Sequence, residues 1–247
     1  MRKLSIGALV GAVMLAVAAI AFATTTQTFD QKYIKKNGKN SKARGASVGT
    51  SFKTTSTEDG NAEKNHQPKA TRQFNITFPA GSKIDYTAAP VCKKLDEAAD
   101  DPCPKKTKIG SGHAQVVLPF PGFVPVDATV TAYNRKKGLF LYVVPPPPNA
   151  PVVLKPVYKG LTLKTKTPPN CIASTNQNGH CVNNDGSEGV EAVLSEFDLK
   201  TKPIKKGKRI YLRSPKSCPK SKKWTFKAEI TYDDGTKVKP KSTTPCK

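Results

Sequence analysis

From Trp224 to Tyr232 the chain alternates without a break: Trp224, Phe226, Ala228, Ile230 and Tyr232 are separated by Thr225, Lys227, Glu229 and Thr231. Successive side chains of an extended strand point to opposite faces, so this pattern turns one face to a core and the other to water. Asp233-Asp234-Gly235 then supplies a turn that sends Val238 back beside the strand. Phe74, Ile76 and Phe78 repeat the alternation and stop at Pro79-Ala80-Gly81. Further runs rich in Val, Thr, Phe and Tyr cover Gln115 to Phe120, Ala128 to Tyr133 and Gly138 to Val144. Val152 to Tyr158, Leu161 to Lys166, Val190 to Leu199 and Arg209 to Arg213 continue the series.

About ten short strands, with almost no helical period, predict an all-β fold: an antiparallel β-sandwich, Ig-like or jelly-roll-like, with a barrel as the second choice. The sandwich is expected over residues 72–247. Residues 24–71 read as a polar, basic segment, partly disordered or forming edge strands, and Thr54 to Lys69 carries loop signals alone. Lys93 to Asp101 suits one short helix, and Asn134 to Lys137 a hairpin loop. The tetraproline Pro145 to Pro148 reads as a stiff crossover between sheets.

The first 23 residues set the compartment. Arg2 and Lys3 precede an uncharged apolar run from Leu4 to Phe22, and Ala21-Phe22-Ala23 offers small residues to a signal peptidase. These are the parts of a secretory signal. An uncleaved anchor is the alternative, because the run approaches the ~20 residues of a membrane-spanning helix. Secretion or attachment to the outer cell envelope is therefore expected. Six cysteines, Cys92, Cys103, Cys171, Cys181, Cys218 and Cys246, then read as disulfides, and pairing between neighbours is the economical choice. No C-x2-C or H-x3-H spacing supports a metal site.

Charge points to a partner. The chain carries 41 Lys and Arg against 18 Asp and Glu, a net +23. Only Arg2, Arg44, Arg72, Arg135, Arg209 and Arg213 are arginine. Lysine is a hydrated point charge, whereas the arginine fork reads phosphate geometry, so a lysine surface suits diffuse attraction to a polyanion over sequence-specific nucleic-acid readout. The bland counterpart is a merely solubilising surface. From Lys200 to Lys247 there are 16 basic and 3 acidic residues. Lys205, Lys206, Lys208 and Arg209, then Lys220, Lys222 and Lys223, are the candidate polyanion-binding residues.

Catalytic signals are absent from the sequence. His66, His113 and His180 sit in no H-E-x-x-H or G-x-S-x-G context. Gly110-Ser111-Gly112 lacks the lysine that follows a phosphate loop and reads as a tight approach to the strand at Gln115. The acids Asp96, Glu97, Asp100 and Asp101 are flanked by lysines and read as a solvated face, and no cofactor is implied.

Pro90-Val91-Cys92, followed by Cys103-Pro104-Lys105-Lys106-Thr107-Lys108-Ile109-Gly110-Ser111-Gly112-His113-Ala114, resembles a C…CP-x-x-(S/T)-K-(I/V)-G-(S/T)-G-x-A signature. That signature belongs to uncharacterised secreted β-rich proteins of high-GC Gram-positive soil bacteria. The resemblance implies secretion, a β-rich fold and disulfides, and it supplies no catalytic residue. The functional expectation is a non-enzymatic envelope module that binds anionic cell-wall polymers or other extracellular polyanions. A hydrolase acting on wall polymers, with a site assembled only in the fold, is the alternative.

Overall fold

The computed structural model describes residues 25–58, 69–95, 102–118, 124–147, 151–167, 174–175, 181–182 and 192–247. The leader, His66, His180, Cys171 and the acids from Asp96 to Asp101 lie outside them. Strands β1 (Thr25–Ile34), β2 (Gly49–Glu58), β3 (Thr71–Thr77) and β4 (Lys83–Ile84) come first. They are followed by β5 (Lys108–Leu118), β6 (Val124–Arg135), β7 (Gly138–Val144), β8 (Val152–Leu154) and β9 (Val157–Lys159). Next are β10 (Thr162–Lys166), β11 (Ser174–Thr175), β12 (Cys181–Val182), β13 (Val193–Thr201) and β14 (Lys205–Lys206). The chain ends with β15 (Arg209–Ile210), β16 (Leu212–Arg213), β17 (Lys223–Tyr232), β18 (Lys237–Val238) and β19 (Lys241–Pro245).

Thirteen strands share one antiparallel sheet, in the order β1-β2-β13-β5-β6-β7-β9-β10-β3-β17-β18, with β8 beside β7 and β19 beside β17. Its two ends meet. The Gln31 amide donates to Ser242 Oγ (3.0 Å), and that hydroxyl lies within reach of the Gln31 carbonyl (3.1 Å) and the Asp30 carboxylate (3.2 Å). The result is a nearly closed, flattened barrel, whose walls pack face to face as in a sandwich. The all-β antiparallel expectation holds.

Aromatic side chains bridge the interior. Phe52 of β2 meets Phe74 of β3 at 5.3 Å and Phe197 of β13 at 5.7 Å between ring centroids. Tyr33 meets Trp224 edge-on at 5.5 Å and Phe226 at 4.8 Å. Every inward residue of the β17 alternation is buried, with Trp224 at 1% exposure. The Tyr33 hydroxyl, raised in pKa by burial, donates to Ser82 Oγ (2.6 Å), which donates to the Pro79 carbonyl (2.6 Å).

Several local readings change. Residues 54–58 continue β2 instead of opening a loop: Thr54 and Ser56 point inward and are buried, and threonine suits a pleated surface. Both β1 and β2 lie in the common sheet, β2 between β1 and β13. Gly110-Ser111-Gly112 is not a turn before a strand but the interior of β5. A Cβ on Gly112 would stand 2.0 Å from the Asp198 carbonyl oxygen, so glycine is what lets β13 approach. The tetraproline leads from β7 to its own neighbour β8, with Leu141 opposite Leu154, and is therefore no crossover between sheets. The hairpin loop shortens to Lys136-Lys137, because Asn134 and Arg135 pair in the ladder. Residues 93–95 are irregular; the rest of the expected helix falls outside the described residues.

Disulfides join Cys92 to Cys103 and Cys218 to Cys246, as neighbour pairing predicts. The pairing of Cys171 with Cys181 falls outside the described residues. Asn134, wholly buried, donates through Nδ2 to the carbonyls of Tyr86 (2.8 Å), Ala89 (3.0 Å) and Pro90 (3.1 Å) and so fixes the chain leading into the first disulfide. Among the described residues no helix is long and apolar enough to cross a membrane.

Candidate functional site

Antiparallel pairing decides which connections share an end of the barrel. The exits of β1, β3, β13 and β19 and the starts of β2, β5 and β17 all lie at one end. Two of these connections and the residues after β19 are tied together there. The Gly45 amide donates to the Pro215 carbonyl (2.9 Å), the Cys246 amide to the Lys222 carbonyl (3.0 Å) and the Lys247 amide to the Lys42 carbonyl (3.1 Å). Ser214, fully buried, accepts at Oγ from the Ala46 amide (3.1 Å) and donates to the Ala43 carbonyl (2.7 Å). The Trp224 indole donates to the Ser217 carbonyl (3.0 Å), and the Cys218–Cys246 bridge closes the assembly.

Every cation of this cap is exposed: Lys35, Lys36, Lys39, Lys42 and Arg44 from the first connection, Lys216, Lys220, Lys222 and Lys223 from the second, and Lys247. No Asp or Glu occurs in residues 35–48, 214–223 or 246–247. Like charges held this close do not neutralise one another, so their fields add outward. Lys220, Lys222 and Lys223 of the sequence reading belong to the cap. Lys205, Lys206, Lys208 and Arg209 form a separate hairpin, β14–β15, whose two-residue turn places Gly207 at φ 58°. The Tyr211 amide donates to the Ile204 carbonyl (3.0 Å) at the hairpin base, and Ser47 bridges Arg213 just beyond it. The hairpin therefore stands at the same end of the barrel as the cap.

Asp85 is the acidic side chain beside the hairpin; the connection that carries it also contains Asp96, Glu97, Asp100 and Asp101, outside the described residues. Hydrogen bonds from Thr87 hold the Asp85 carboxyl below its ordinary pKa, with Arg209 at 3.7 Å adding a smaller pull. A groove of about 400 Å³ borders the cap, lined by Pro79, Leu161 and Pro219 and by Thr77, Ser221, Lys223 and Lys227. Apolar rings, hydroxyls and ammonium groups thus share one concave surface.

The sequence reading missed the cap's first connection and Lys216, which are remote in sequence from Lys220. The acid-free run from Lys35 to Arg44 was the available signal. His113 lies exposed on β5, away from the cap. No group of three or more His, Cys, Asp or Glu suited to a metal ion occurs among the described residues.

The β17–β18 turn, at the opposite end, is acidic. Asp233 and Asp234 occupy the β17–β18 turn, and Lys69 pairs with Asp234 at 2.6 Å. That hydrogen bond, with those from Thr236, lowers the Asp234 pKa to about 2. A depressed carboxyl pKa stabilises the fold above the unfolded value near 4, and the contribution is lost as pH falls through 2. Asp234 is 41% exposed, so solvent screening keeps the effect under about 1 kcal/mol. Asp234→Asn should lower the unfolding free energy by that small amount at pH 7 and by clearly less at pH 2, where about half of the folded-state carboxyl is already protonated, read from urea melts.

Compared with known proteins, the chain matches no protein family, no curated protein and no solved structure. The geometry alone carries the functional argument.

Proposed function

We propose that this is an exported, non-catalytic β-module that holds anionic polymers at the cationic end of its barrel. The observation that carries the reading is the cap: ten exposed cations from two connections and Lys247, with no acidic side chain among them. The apolar leader with its Ala21-Phe22-Ala23 site, together with two disulfides, supports a location outside the cytoplasm. The lysine excess favours cell-wall polymers bearing phosphate or carboxylate over sequence-specific nucleic acid. The adjoining groove suits the repeat unit of such a polymer, its sugar or polyol against Pro79 and Pro219 and its anion near Lys223 and Lys227.

The test is retention of the purified chain on immobilised poly(glycerol phosphate), with neutral dextran as the control matrix. The native protein should be retained by the anionic polymer alone. Changing Lys216, Lys220, Lys222 and Lys223 to Gln should weaken the affinity at least about tenfold, since each phosphate contact contributes a separate salt-sensitive increment. Changing Lys205, Lys206, Lys208 and Arg209 to Gln should cost less, because Arg209 already faces Asp85. Equal retention of all three proteins rejects the cap as the site.

A further inference from the structure

The interior of the flattened barrel is incompletely filled. Between the walls lies a cavity with room for the centres of water-sized spheres over about 90 Å³. One water needs roughly 10–15 Å³ by that measure, so the space is several waters large. Its lining follows β13 from Leu194 to Thr201, a path of roughly 20 Å at about 3.3 Å per residue. Such a volume spread over such a length makes a narrow, elongated space.

Its chemistry is uncharged. Among the described residues no Lys, Arg, His, Asp or Glu lines it. Phe52, Phe197, Leu141 and Leu163 offer a file of water nothing to hydrogen-bond. Two buried polar side chains in the lining are nevertheless short of partners: Gln31 at Oε1 and Tyr211 at its hydroxyl. The polar neighbour of the Tyr211 phenol is that of Tyr158, toward which it donates, and burial pushes the Tyr158 phenol up to about 12 and that of Tyr211 well above its ordinary value, so both stay neutral. A phenol that donates keeps its oxygen lone pairs, so the Tyr211 oxygen remains an acceptor for an incoming hydroxyl.

We propose that the cavity is a binding site for a neutral single-chain lipid, with the hydrocarbon chain lying along the Phe and Leu walls and a hydroxyl meeting Tyr211. Charge selects the class: an anionic or cationic head would be desolvated there without a counter-charge. Width selects a single chain over a fused ring system. This site is independent of the cationic cap, since none of the ten cap cations lines it.

The test uses the linear fluorescent polyene 1,6-diphenyl-1,3,5-hexatriene, which has no fused ring and no hydrogen-bonding group, with the full chain. Its emission should rise to a one-to-one end point and be reversed by dodecan-1-ol. Dodecanoate and dodecyltrimethylammonium should displace it at least about tenfold more weakly, because each carries a charge into an uncharged lining. Tyr211→Phe should weaken dodecan-1-ol by about threefold to tenfold, the effect of one lost hydrogen bond, while the polyene binds as before. Leu141→Phe and Thr165→Leu narrow the space from two sides, and any of these that folds by circular dichroism should bind the polyene more weakly. Absence of a saturable signal, equal displacement by the three amphiphiles, or unchanged binding in a folded narrowed variant would each overturn the proposal. If both narrowed variants fail to fold, the ranking of the three amphiphiles on the native chain decides it.

Discussion

Trp224→Ala should lower the unfolding free energy by about 4 kcal/mol, the largest effect expected from a single substitution in this chain. The side chain is 1% exposed and packs edge-on against Tyr33, which joins the last long strand to the first. Truncation removes the transfer energy of the indole and leaves a void that the surrounding rings cannot close. It also strands the Ser217 carbonyl, which now accepts from the indole at 3.0 Å. Trp224→Phe separates the two contributions: it keeps most of the packing, loses the hydrogen bond, and should cost about 1–2 kcal/mol. Small domains hold only about 5–15 kcal/mol in total, so the alanine variant should show a large drop in urea midpoint. A loss under 1 kcal/mol would mean that the Tyr33–Trp224 contact does not tie β1 to β17.

Replacing both Cys218 and Cys246 by Ser should cost about 3–4 kcal/mol, because the bridge closes a loop of sequence separation 28. The matching change at Cys92 and Cys103, separated by 11, should cost about 0.5–1 kcal/mol less, since loop-closure entropy grows only slowly with length. Thermal melts of the two double variants give the comparison. The first pair has a functional consequence that the second lacks. Without the bridge the cap keeps its full charge but loses the covalent tie between its second connection and the C-terminal residues. Polyanion affinity should fall although no cation has been removed, whereas the Cys92 and Cys103 variant should bind as the native chain does. Equal affinities in the two variants would show that net charge alone, and not its arrangement, governs binding.

Particular residues show what the sequence made legible. The β17 alternation and its Asp233-Asp234-Gly235 turn were readable because a half-buried strand imposes period two and a tight turn needs glycine. Thr54 to Glu58 was not readable as strand: threonine and serine mark loops as readily as strands, and only the neighbouring β1 and β13 decide between them. The tetraproline misled for a related reason, since a stiff segment reveals its shape but not where it ends. For the cap, Lys220, Lys222 and Lys223 stood out as a dense run beside a tryptophan. Lys35 to Arg44 joins them only through closure of the sheet and the bonds made by Ser214 and Lys42, which no local pattern announces. The cavity left no trace in the sequence, because its lining comes from separated strands that each look like ordinary core.

The central claim is that the ten cations of the cap act together on a polyanion. The most direct measurement is the affinity of the native chain for poly(glycerol phosphate) across about 0.05–0.5 M salt, over which the Debye length contracts from above 10 Å to about 4 Å. Engagement of several phosphates at once predicts a log–log slope of about −3 or steeper, from roughly 0.7 per contact on a flexible chain. The variant lacking Lys216, Lys220, Lys222 and Lys223 should be shallower by about 2 to 3. A native slope shallower than about −1, or retention that survives 1 M salt, would contradict the account and assign these lysines to solubility alone.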